Sequence, residues 1–247
     1  MISDIPVVGW VLAIASALIL GLAKSGLKGM GVIIVMLLAL AFESKASTGI
    51  LMPLLIIGDI FAVIYYHRHA QWSHLWRLLP WMLAGVLIGV WFGKDLDEEQ
   101  FKHWMAVLIL SATVLMIWGE IRKRLTVPKH GIFGATMGLL AGISTMIGNL
   151  AGPFADLYFL AMRLPKQNFI GTAAWLFFIV NIFKLPFHIF VWRTITTKTL
   201  LIDLWLLPAV VGGLITGVWL VSRIHDLRYR KIVIVLTAIG AILILTG

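Results

Sequence analysis

The sequence predicts an all-α polytopic membrane protein, and three observations carry that reading. Of the 247 residues, 61% are hydrophobic and only 13% charged, against roughly half apolar and a quarter charged in soluble domains, which excludes a soluble fold. The apolar runs are long and lack strand alternation, so of the two architectures that satisfy backbone polar groups in lipid, the helical bundle remains and the β-barrel is excluded. A transmembrane helix needs about 20 mainly apolar residues. The chain therefore has room for about eight to ten membrane segments and no extramembrane domain, and function has to reside inside the bundle.

Charged residues and Gly/Pro punctuation divide the chain into ten segments, near 6–23, 29–42, 46–66, 76–93, 103–120, 131–149, 151–162, 167–192, 199–222 and 231–247. The start, MISDIPVVGW, lacks a basic n-region and a small-residue cleavage site, so the first run reads as a retained helix. The runs Val32 to Phe42 and Pro153 to Met162 are too short to cross about 30 Å of hydrocarbon. Each follows a polar, Gly-rich interruption, KSGLKGMG at 24–31 and STMIGNLAGP at 144–153, and reads as a half-helix or re-entrant segment.

The two interruptions hold corresponding places, which points to an internal repeat. An offset of 121 aligns Gly21, Gly31, Lys45 and His67 with Gly142, Gly152, Lys166 and His188, at an overall identity near chance. An offset of 128 aligns PWMLAGVLIGVW (80–91) with PAVVGGLITGVW (208–219) and brings Phe101 and Lys102 onto Tyr229 and Arg230. The expected units are 1–125 and 126–247, about five segments each. An odd number of segments inverts the second unit relative to the first.

Lys and Arg total 20 against 11 acids, and the charge lies mostly at segment ends, where it meets anionic lipid headgroups rather than nucleic acid. With the N-terminus outside, inner connections hold fourteen basic residues, among them Lys24, Lys28 and the cluster Arg122, Lys123, Arg124 and Lys129; outer ones hold five. That bias sets both termini outside. There is no cysteine, so no thiolate nucleophile or Cys-ligated metal is available, and neither a cofactor nor a metal is expected. Trp72, Trp76, Trp81, Trp91, Trp104, Trp118 and Trp192 fall at segment ends as aromatic belts, while Trp175 and Trp205 sit deeper.

Lys184, about eight residues inside an apolar run, is the strongest functional signal, because a charge there needs an interior partner or cavity. Asn181, Lys184 and His188 share one helical face. Asp59 and Asp156 are the other deep ionisable groups, and Asp59 aligns one residue from the equivalent of Asn181, which suggests an Asp59–Lys184 pair between the halves. Asp203 reads as interfacial. The half-helix starts at Gly29, Gly31, Asn149 and Gly152 offer unpaired N–H groups carrying about half a positive charge, suited to an anion; Lys24, Lys28, Ser144 and Thr145 add charge and donors. The alternative for the glycines is plain helix packing, the reading also given to Gly85, Gly89, Gly213 and Gly217.

A Gly-rich broken helix followed, in the second half, by GISTMIGNLAGP, LPKQNFIGTAAW and NIFKLP resembles the sulfite exporter TauE/SafE family of anion permeases over nearly the whole chain, most specifically at 138–188. The first half departs from the family's commoner run of consecutive glycines with GLKGMG at 26–31. The resemblance implies a multi-pass transporter of the cytoplasmic (inner) membrane for a small anion such as sulfite, a sulfonate or sulfoacetate, with Gly152, Gly171, Thr172, Asn181 and Lys184 as site residues. The expected mechanism is alternating access around a midplane site, with Asp59, Asp156 or His188 as coupling or gating groups, and protons or sodium as coupling ions where uptake is needed. A homo-oligomer is compatible with such a bundle. A passive anion channel is the alternative. An intramembrane hydrolase with Ser144 as nucleophile and His188 as base is a more distant one, since no third group orients the histidine.

Overall fold

A computed structural model describes the backbone of residues 5–121 and 131–225, and their side chains except at 109, 112–113 and 115–121. The described residues form helices without strands: α1 (Val7–Lys24), α2 (Gly31–Ala41), α3 (Ser44–Tyr66), α4 (Trp72–Gly93), α5 (Glu98–Ile121), α6 (Gly131–Gly148), α7 (Ala151–Ala161), α8 (Lys166–Pro186) and α9 (Thr197–Ser222). They fall on nine of the ten apolar segments. The tenth, 231–247, the basic cluster at 122–129 and the residues matched to Phe101 and Lys102 lie outside the described residues. Among the described helices, α1, α3, α4, α6, α8 and α9 are long and apolar enough to cross a bilayer. α2 and α7, at 11 residues each, rise only about 16 Å, roughly half the hydrocarbon thickness.

Helix ends follow local chemistry. α1 stops in a Schellman-type turn in which Gly26 N–H donates to the Ala23 carbonyl and Leu27 N–H to that of Leu22; Gly26 sits at φ +122°, a conformation open chiefly to glycine. At Pro186, which has no N–H to donate, α8 widens into a π-helical turn over Phe187–Val191, closed by Trp192 N–H on the Phe187 carbonyl at 2.8 Å. Thr196 and Thr199 form a capping box at the start of α9. The Glu98 carboxylate, from the first turn of α5, accepts from the backbone N–H groups of Ser44 and Lys45 and so caps α3 across the fold. Glu98→Ala is expected to cost about 1 kcal/mol and Glu98→Gln less, read as a shift in the thermal unfolding midpoint.

Two glycine seams tie the first half of the chain to the second. A methyl on Gly21 would overlap the Val210 carbonyl of α9, one on Gly213 the Leu18 carbonyl, and one on Gly217 the Ser25 hydroxyl. Contacts thus advance in the same direction along both helices, so α1 and α9 run parallel. α4 and α6 do the same, with Gly138 on the Leu78 carbonyl, Gly142 on that of Met82, and Gly89 on Met146. Between the seams α3 and α8 cross antiparallel: Gly49 meets Thr194, Asp59 meets Asn181, and Gly171 meets the backbone at Tyr66 to Ala70. Large apolar side chains such as Trp205 (68% exposed), Trp91, Leu204 and Ile215 cover the outside of the bundle, as lipid contact requires.

Candidate functional site

The starts of α2 and α7 meet at a cavity of about 80 Å³, lined by Lys24, Lys28, Gly29 and Gly31 from one side and by Thr145, Asn149, Gly152, Asp156 and Asn181 from the other. That is room for a few water molecules or one small oxyanion. Gly29, at φ +96°, turns the chain into α2, and Asn149, at φ +55°, turns it into α7. Unlike the seam glycines, Gly31 has nothing within 4 Å of where a methyl would stand, and Gly152 only the Asp156 carboxyl at 3.8 Å. Glycine here leaves space beside N–H groups that α2 and α7 cannot pair internally. Gly31→Ala is therefore expected to leave the unfolding midpoint within a degree or so while weakening anion binding by about tenfold, whereas Gly142→Ala, against the Met82 carbonyl, lowers the midpoint by many degrees.

A buried polar network surrounds the cavity. The Lys24 ammonium pairs with Asp59, and Gly58 makes room for it, since a methyl there would stand 2.7 Å from Lys24 Cγ. Asn181 donates to the second Asp59 oxygen at 2.6 Å and accepts from Lys184 at 3.3 Å. Lys184 also donates to Asn149 Oδ1 at 2.7 Å and to Thr145 Oγ1 at 3.1 Å, so three acceptors match the three donors of an ammonium. The expected Asp59–Lys184 pair is thus corrected: Lys24 holds Asp59, and Lys184 reaches it only through Asn181. Asn149 in turn donates to the Thr48 carbonyl at 3.3 Å, bracing the turn before α7 on α3.

Lys28 has a different situation. Its side chain is buried, 6% exposed, yet its ammonium has no carboxylate or hydrogen-bond partner among the described residues and rests 5.2 Å from the centre of the Phe177 ring. Asp156 Oδ1, on the opposite wall, is likewise buried and unpaired among the described residues. Lys24 and Lys28 thus both line the cavity, as expected of charges beside the first half-helix start.

The model of the sulfite exporter TauE/SafE family matches residues 13–244. The chain belongs to this family. Membership in TauE/SafE makes it an anion transporter and not an enzyme, and the six membrane-length helices agree with a multi-pass protein of the inner membrane. No curated protein and no solved structure matches it.

The positions carried over from the TauE/SafE pattern divide in two. Gly152 and Asn181 line the cavity and Lys184 lies directly behind Asn149 and Asn181. Gly171 and Thr172 do not reach it: Gly171 packs on the backbone of Tyr66, His69 and Ala70, and Thr172 Oγ1 accepts from Gln71 N–H at 2.8 Å, so both hold the α3–α4 connection. His188 is buried against Trp192 and bonds Thr194 Oγ1 through Nδ1 at 2.9 Å, away from the cavity lining. It shares no hydrogen bond with Ser144, whose hydroxyl is unpaired among the described residues. Trp192 is buried, with its indole N–H on the Val90 carbonyl at 3.3 Å, rather than at the aromatic belt; Trp175 packs on Trp72 outside the cavity, and Trp205 faces outward. Asp203 is buried, with both carboxylate oxygens unpaired among the described residues, rather than interfacial. Phe177, which faces both Lys24 and Lys28, was hidden in the sequence among like aromatic residues of an apolar helix.

Proposed function

We propose that the protein carries a small oxyanion, sulfite or a short organosulfonate, across the membrane by alternating access around the cavity between α2 and α7. The observation that carries this reading is the Lys28 ammonium, unpaired among the described residues, in a cavity at the starts of both half-helices. A buried cation without a counter-ion is costly, and an anion is what relieves the cost. The N–H groups near Gly29, Gly31 and Gly152 bind the oxyanion, with Lys28, Thr145, Asn149 and Asn181 around it. Lys184 acts through the two asparagines, which it orients while adding positive field.

Inverted units over 1–125 and 126–247 are part of this proposal. In their support, the α1–α9 and α4–α6 seams are reciprocal, with Gly21 on Gly213 in one and Gly142 on Gly85 in the other, the four positions that the two offsets relate. Such units suit rocking of two bodies about a central site. Asp59 and His188, committed to Lys24 and Thr194, act in gating. The functional unit is a single chain or a homo-oligomer of such chains, each with its own cavity.

Proteoliposome flux tests the reading. Saturable uptake of sulfite, competed by short sulfonates and weakened in Lys28→Met, is the expected result. Fast conductance that does not saturate rejects the carrier in favour of a passive channel.

A further inference from the structure

We propose that Asp156 carries a proton and donates it as a hydrogen bond to the bound anion, so that one proton binds with each anion. The inference rests on the anion site proposed above. Asp156 is 2% exposed, lines the cavity, and has one oxygen without a hydrogen-bond partner among the described residues. It faces Lys24 and Lys28 across the cavity, with Asp59 behind Lys24 and Lys184 behind Asn149. Thr145 of α6 and Asn149 of the turn after it, which line the same cavity, are neutral; the described charged residues of α5 lie in its exposed or half-exposed first turns.

Of these groups only Lys28 and Asp156 are uncommitted among the described residues. Lys24 and Asp59 neutralise each other, and all three Lys184 donors are taken. Lys28 and Asp156 line the same small cavity without forming an ion pair, so the space of that cavity, about 80 Å³, is the gap an anion would fill. A carboxylate is an acceptor only, as is an oxyanion, so the two repel across that gap. The acid form instead supplies an O–H donor aimed at the same oxygens that Lys28 attracts. The proton comes from water on the entry side and returns to water on the exit side with the anion, and no bond other than O–H changes.

One consequence concerns driving force. A monoanion moving alone is pushed out of an inside-negative cell by the membrane potential. With a proton beside it the cycle moves no net charge, and the anion and pH gradients alone set its direction.

The test uses the full chain in nanodiscs and methanesulfonate, whose charge stays constant between about pH 5.5 and 8.5. Calorimetric titration in two buffers of different ionisation enthalpy counts the protons taken up. Wild type is expected to take up close to one proton per anion towards the alkaline end and to lose affinity there by up to tenfold per pH unit. Asp156→Asn, which keeps an N–H donor but no titrating proton, is expected to bind with affinity independent of pH and no uptake. Binding by wild type with no proton uptake and a flat pH profile overturns the inference and leaves the anion site standing, as does unchanged uptake in Asp156→Asn. Absence of methanesulfonate and sulfite binding at every pH overturns the anion site, and this inference with it. The wild-type measurement decides even if the variant does not fold.

Discussion

Lys28→Met is expected to make the empty protein more stable and to remove most of its anion binding. The ammonium is buried without a carboxylate partner among the described residues, and burying an uncompensated charge costs several kcal/mol after relaxation. Methionine keeps a similar apolar stem against Phe177 and loses a cation–π contact of about 1 kcal/mol. The net expectation is about 1–3 kcal/mol of added stability, seen as a higher unfolding midpoint in detergent without anion. Sulfite affinity should fall by roughly 100-fold, since charge-assisted hydrogen bonds contribute about 1.5–3 kcal/mol each. A gain in stability coupled to a loss of binding marks a residue kept for its ligand. A lower midpoint with unchanged affinity would assign Lys28 to the architecture instead.

Lys24→Met is expected to act in the opposite sense. It leaves the Asp59 carboxylate buried with Asn181 as its one remaining donor among the described residues, and breaking a buried pair by removing one partner costs about 3–5 kcal/mol. Replacing both groups, Lys24→Met with Asp59→Leu, should recover most of that loss, because no orphaned charge remains. Thermal unfolding of the two single variants and the double variant closes the cycle. A double variant no more stable than Lys24→Met alone contradicts the assignment of this pair as a neutral, structural couple.

These two lysines also show where the sequence stops being informative. The helices, including the two short ones, were readable because the apolar runs are long and punctuated by charge, glycine and proline. The buried charge of Lys184 was readable because it stands inside such a run. Which cation meets Asp59 was not, since that depends on how α1 and α8 rotate about α3. An alignment register good to one residue still turns a side chain by about 100° around a helix. Gly171 and Thr172 were expected at the site from the family resemblance, but a resemblance in sequence does not say what a residue touches. Here the close approach of the α3–α4 connection to α8 accounts for them. The roles of Gly31 and Gly142 are equally invisible in one dimension, where a glycine opening on a void and one wedged against a carbonyl read alike.

The two glycine seams have a consequence for motion. Backbone lies against backbone at Gly21 and Gly213 in α1–α9 and at Gly85 and Gly142 in α4–α6, so each couple is expected to move as one piece. In the rocking proposed above, the two bodies are then expected to be these couples rather than residues 1–125 and 126–247, because each couple takes one helix from each half of the sequence, like the interlaced fingers of two hands. Spin labels on α1 and α9 should keep a fixed separation through the transport cycle, while labels on α1 and α4 should not.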